Sequence, residues 1–166
     1  MEIVNQHMAV ILDVLFTHRG SCLKFLGDGL LLAFGLRDED REWHAAQSLE
    51  CALAIQQAIA AYHVGCSVDR RLRFGIGIST GMVVLGAVGI KNRRDVAIVG
   101  DTVNTAQRVM TMARSGEVLL TGQTLAAAGN KFEVELLEST LVKGKSEKVE
   151  VFKLIGPRTG DRLVAA

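Results

Sequence analysis

The sequence predicts an α/β or α+β sandwich with one helical layer, and three observations carry that expectation. Apolar strand-like runs alternate with helical patterns along the chain, the order expected of a sheet covered by helices. In RLRFGIGIST, Leu72, Phe74, Ile76 and Ile78 share one face, while Arg73, Gly75, Gly77 and Ser79 share the other. That period of two marks a half-buried strand. Residues 2–19 instead place Ile3, Val10, Ile11, Val14 and Leu15 at helical spacing, and Arg19-Gly20 supplies a stop.

The remaining elements follow in order. CLKFLGDGLLLAFG (Cys22–Gly35) reads as two short apolar strands joined by Gly27-Asp28-Gly29, a hairpin signal. Asp38–His63 reads as one long amphipathic helix whose acidic start suits the helix dipole. After a polar loop from Gly65 to Arg71 come the alternating strand, a second strand at Gly81–Gly89, and the basic loop IKNRRD leading into Val96–Val99. A helix from Thr102 to about Arg114, a short strand at Glu117–Leu120 and a small helix at Thr124–Ala128 follow. Phe132–Gly156 reads as strands around a basic turn at Lys143–Lys148. Without repeats or linkers, the pattern gives one domain over 1–156 and a loose tail over 157–166.

Composition narrows the class. The 166 residues are 49% hydrophobic and 22% charged with a single Pro, which describes a folded globular chain. A net charge of +1 gives no global drive toward nucleic acid or an anionic membrane. Cys22, Cys51 and Cys66 lack C-x-x-C spacing and read as reduced thiols of an intracellular protein. His7, His18, His44 and His63 are scattered, without metal-ligand spacing, and read as helix-surface or core histidines. No run of 18 apolar residues occurs, and Glu2, Asn5, Gln6 and His7 spoil a signal peptide. The expectation is a cytoplasmic segment with no membrane contact, in a parent protein that is free to be membrane-attached.

Three stretches admit two readings each. In VAIVGDTVNTAQRVM, Val103, Ala106, Met110 and Ala113 form an apolar stripe expected in the core, with Asp101 as N-cap. Asn104 and Arg108, four apart, share another face. They form either a solvated surface or a patch that orients an oxygen and neutralises a phosphoryl group. Asp28 is either a turn residue or an unobstructed oxygen ligand for Mg²⁺ between two glycines. Lys24 either snorkels or donates to a polar ligand, and Lys143 and Lys145 are either a solvated turn or a polyphosphate clamp. No G-x-x-x-x-G-K-[ST] or G-x-G-x-x-G occurs, so Gly75, Gly77, Gly81, Gly86 and Gly89 read as strand and turn glycines permitting close packing or twist.

In this order, KFLGDGLLLAFG, HAAQSLECALAIQQAI, RFGIGISTGMVVLGAVG, RRDVAIVGDTVNTAQRV and LVKGKSEKVEVFKL resemble the class III nucleotidyl cyclase catalytic domain. The likeness covers most of Leu23–Leu154, and the pairing of its two motifs about 70 residues apart is specific. It implies a ferredoxin-like α+β fold, a mixed or antiparallel sheet with helices packed on it. The implied unit is a head-to-tail homodimer with ATP and two Mg²⁺ or Mn²⁺ ions at the interface. By that resemblance Asp28 looks like a metal carboxylate, and Lys24 resembles the purine-contacting lysine of adenylate-selective members. Asn104 looks like the ribose-orienting residue, and Arg108 resembles the arginine that stabilises the phosphoryl transition state. Lys143 is similar to the lysine gripping the triphosphate, with Lys145 beside it.

The resemblance also exposes departures. The family's first strand, with its own metal carboxylate, is expected before Met1 and is not found, so the cyclase fold reads as N-terminally truncated, with Asp13 no substitute. Ala97, seven residues before Asn104, stands where adenylate-selective members use Asp or Thr against the base, and Val96 replaces a common aromatic. The expected activity is ATP to cyclic AMP and pyrophosphate, impaired in this chain. The alternative is an inactive pseudo-cyclase, a nucleotide-binding or dimerisation module beside regulatory domains of a larger signalling protein.

Overall fold

The computed structural model describes residues 1–37, 39, 41–90, 93–137 and 149–158. Helix α1 spans Glu2–Thr17 and is followed by the hairpin β1 (Ser21–Leu26) and β2 (Gly29–Ala33). Then come α2 (His44–Val64), β3 (Ile76–Ile78), β4 (Val84–Ile90), β5 (Arg93–Val99) and α3 (Asp101–Met112). The chain continues through β6 (Val118–Thr121), α4 (Gly122–Ala128), β7 (Phe132–Leu136) and β8 (Val151–Pro157). The expected basic turn at Lys143–Lys148 lies outside the described residues, as do residues 159–166 of the expected tail. The first two residues of that tail are not loose, since Pro157 ends β8 opposite Phe132 and the Arg158 amide donates to the Lys131 carbonyl.

Four strands form a mixed sheet in the order β3-β6-β8-β7, with β3 and β6 parallel and the other pairs antiparallel. Among the described residues, β1-β2 and β4-β5 are separate two-stranded antiparallel ribbons. Alternation along β6 explains the layers. Val118 and Leu120 join Ala45, Leu49 and Ala52 of α2 in one cluster, whereas Leu119 packs with Val109 of α3 and Val151. Successive strand side chains point to opposite faces, so α2 and α3 lie on opposite sides of the sheet. The single helical layer expected from the sequence is thus corrected to two. A third cluster packs Ile11 and Leu15 of α1 on Cys51, Ile55 and Ile59 of α2, with Leu30, Leu32, Phe34 and Phe74 around it. Burial there pushes the Cys51 thiol up to about 11.

Several expected boundaries move. The long helix begins at His44, not Asp38, because the chain is still turning at Arg41–Trp43, where His44 Nδ1 donates to the Arg41 carbonyl at 2.6 Å. The alternating strand shrinks to Ile76–Ile78. The backbone before it is used otherwise: the Leu72 amide donates to His7 Nε2, and the Phe74 carbonyl accepts from Gln56 Nε2 and the Gly116 amide.

His7 is fully buried and ties α1 to α2 and to this segment. Its tautomer follows from partners with fixed roles. The Ile3 carbonyl, 2.7 Å from Nδ1, can only accept, and the Leu72 amide, 3.2 Å from Nε2, can only donate. Nδ1 therefore carries the hydrogen, and His63 Nε2, 3.0 Å from the lone pair of His7 Nε2, must donate to it. Burial holds His63 below its ordinary value of 6.5, helped by His7, Arg71 and Arg73 and opposed by a hydrogen bond with the Leu72 backbone. A depressed histidine stabilises the fold when neutral. Its contribution is present above pH 6.5 and is lost as pH falls through the lowered value. The melting temperature should drop between pH 7.5 and 5, and His63→Gln should flatten that drop. A flat wild-type profile would contradict the node.

Candidate active site

The first hairpin turns on two residues. Leu26 pairs with Gly29, leaving Gly27-Asp28 as the loop, and Gly27 has φ 68°, a left-handed conformation that disfavours other residues. Glycine at the first of two central positions is the choice of a type II′ turn. Gly27, not the Asp28-Gly29 pair, therefore makes the turn, and Asp28 is held exposed at its tip. The register slips between Cys22 and Lys24, so Leu23 is an extra residue in β1. Such a bulge re-aims the side chains beyond it, and Lys24, Phe25 and Leu26 are all exposed. Strand alternation alone cannot reveal a bulge.

The other candidates sit around α3. Ala97 lies on β5 opposite Gly86, half-buried, and β5 runs through Gly100 into the helix. Gly100 is the N-cap and provides no side-chain bond, so the expected cap at Asp101 is corrected: Asp101 is the first helical residue. The expected core stripe also rotates. Thr105 and Val109 are buried, whereas Met110 is exposed and Val103, Ala106 and Ala113 are half-buried. The cause is Gly75 and Gly77, which let the backbone of α3 lie directly on β3. A Cβ on Gly77 would come within 2.2 Å of the Met110 nitrogen, and one on Gly75 within 3.0 Å of Ala113 Cβ. With the backbone itself in contact, Asn104 stays exposed and Arg108 half-buried, one turn apart.

The two groups ride on different elements. The hairpin of Lys24 and Asp28 packs on α1, while α3 packs on β3 and β6. Lys143 and Lys145 lie outside the described residues. Asp28 presents an exposed carboxylate at the hairpin tip. Among the described residues no group of three His, Cys, Asp or Glu could hold a metal ion. Sequence reasoning passed over the flank of α3. There a cleft of about 490 Å³ is lined by Ser79, Thr80, Thr102, Thr105 and Gln123, and the buried Thr105 hydroxyl has no hydrogen-bond partner among the described residues. A threonine inside an apolar-looking helix gives no signal of that kind.

The profile of the family described as "Adenylate and Guanylate cyclase catalytic domain" matches residues 1–156. The terminal-differentiation specific adenylate cyclase of Dictyostelium discoideum is 27% identical over 99% of this chain, and adenylate cyclase 1 of Rhizobium meliloti is 27% identical over 94%. The chain spans only 8% and 24% of those two proteins' lengths. The crystal structure of the guanylyl cyclase Cya2 superposes with a TM-score of 0.86 at 28% identity, covering 99% of this chain and 84% of that one. With both the sequence profile and the whole architecture shared, the chain belongs to the family of adenylate and guanylate cyclase catalytic domains.

Proposed function

We propose that this domain closes a nucleoside triphosphate, preferentially ATP, to the 3′,5′-cyclic nucleotide and pyrophosphate, at a site shared by two copies of the chain. The observation that carries the reading is the placement of Asn104 and Arg108 on α3 of a cyclase-family domain, one turn apart and accessible. In the proposed reaction the ribose 3′-oxygen attacks the α-phosphorus and pyrophosphate leaves. Asn104 orients the ribose. Arg108 offsets the charge that grows on the α-phosphoryl oxygens, where a planar guanidinium can donate two bonds at once. Lys24 contacts the purine, and Lys143, with Lys145 beside it, grips the triphosphate. Asp28 is the residue of this chain that would hold a divalent cation, which when bound would neutralise triphosphate charge.

A second copy is favoured by the surface beside α3. Met82, Val84 and Val99 are 92%, 71% and 64% exposed, and Val84 pairs with Val99 across β4 and β5. Apolar side chains so bare and so grouped mark an association surface. A head-to-tail partner covering them would bring one copy's Asp28 to the other's Arg108. No helix of the described residues is long and apolar enough to cross a membrane.

Ala97 favours the second reading, a nucleotide-binding pseudo-cyclase, because a methyl group offers the base neither donor nor acceptor. Cyclic nucleotide formation with Mn²⁺ decides between them, using this chain and one extended upstream. The proposal expects cyclic AMP, from the extended chain in greater yield, and more of it than cyclic GMP. Measurable ATP binding with no product from either chain would establish the pseudo-cyclase.

A further inference from the structure

Gly100, the N-cap of α3, supplies no side-chain cap bond and is in tight contact with the segment before β4. A Cβ on Gly100 would stand 2.9 Å from the Met82 carbonyl oxygen. A Cβ on Gly81 would stand 2.5 Å from the Thr102 hydroxyl. Into that contact Thr102 Oγ1 donates a hydrogen bond of 3.0 Å to the Met82 carbonyl. The helix is thus seated twice: toward its C-terminal end its backbone lies on Gly77, and at its first turn Thr102 ties it to 81–83. Two separated seats fix both the position of a helix along its axis and its rotation about it.

We propose that Thr102 is a positioning residue for the cyclase reaction, its hydroxyl holding the start of α3 against Met82 so that Asn104 and Arg108 meet the substrate at the required angle. The inference rests on the roles proposed above for those two residues. It also gives the exposed Met82 side chain a mechanical link, since a copy docking on that side chain presses on the backbone that holds the helix. Loss of the bond leaves the apolar packing of α3 on β3 and β6 in place. Binding should therefore survive, and turnover should suffer, because small misplacements of catalytic groups cost rate steeply.

The test compares Thr102→Val, which keeps the branched shape without the donor, with Thr102→Ser, which restores the donor. Amide hydrogen exchange of the full chain reads the tether directly. Exchange in the first turn of α3 should quicken about two- to tenfold in Thr102→Val, the worth of one neutral hydrogen bond, and return in Thr102→Ser. Unchanged exchange would overturn the tether whatever the activity. In cyclic nucleotide assays Thr102→Val should lose about tenfold in kcat with KM within about twofold, and Thr102→Ser should recover most of it. Faster exchange with an unaltered kcat would overturn the positioning role. So would a loss of activity that tracks a fall in melting temperature and is not recovered by serine. A wild-type chain with no turnover would instead overturn the cyclase reading, and the exchange measurement would still decide the tether.

Discussion

Arg108→Ala should lower kcat for cyclic nucleotide formation by about two to three orders of magnitude, or roughly 3–4 kcal/mol of transition-state stabilisation. The Arg108 backbone carbonyl already accepts from Thr111 Oγ1 at 2.7 Å, which fixes the main chain without engaging the guanidinium. The side chain is half-buried on a helix seated by its backbone, so removing it leaves the packing of Val109 on Leu119 and Val151 intact. The expected signature is a fall in kcat and kcat/KM together, with little change in melting temperature, as for a contact made only in the transition state. Arg108→Lys should be intermediate, because an ammonium keeps the charge and loses the two-pronged donor geometry. A near-wild-type rate for Arg108→Ala would remove this residue from the mechanism.

Gly77→Ala should be the most damaging conservative change in the fold. The new methyl carbon would meet the Met110 nitrogen at 2.2 Å, the Met110 Cα at 2.5 Å and the Ala106 carbonyl oxygen at 2.6 Å. All three are backbone atoms of α3, so no side chain can swing aside and the helix itself must lift. Overpacking of this severity costs about 3 kcal/mol, which for a domain of this size lowers the melting temperature by about 6–12 °C. Gly86→Ala is the control. It also sits in a strand, yet nothing lies within 4 Å of its added carbon, and the change should be nearly neutral. Equal melting temperatures for the two variants would refute the close seating of α3 on β3.

These glycines show how far the sequence could be read. Alternation placed Gly75 and Gly77 on one face and suggested close packing, but only the three-dimensional arrangement supplies the partner, because α3 lies far along the chain. The α1 helix and the first hairpin were legible because their signals are local: helical spacing ending at Arg19-Gly20, and a glycine turn between apolar runs. The start of α2 was not, since the acidic residues before it satisfy a helix dipole without having to be helical. Leu23 as a bulge, Thr105 in place of Met110 as the buried face of α3, and helices on both faces of the sheet all depend on contacts between distant segments. For the candidate site, helical spacing put Asn104 and Arg108 on one face, and the resemblance to the cyclase family supplied their roles. In the proposed reaction the relation of Asp28 to Arg108 belongs to paired molecules, which no single-chain pattern encodes.

Strand β6, buried along its whole length, has β3 on one side and β8 on the other, and β8 comes from the far end of the described chain. During synthesis, therefore, the nascent polypeptide has no finished central layer until Val151–Pro157 has left the ribosome, and the apolar faces that β6 shares with α2 and α3 must wait partly uncovered. A chain halted after α4 should be caught by chaperones or degraded, not retained as a smaller working unit.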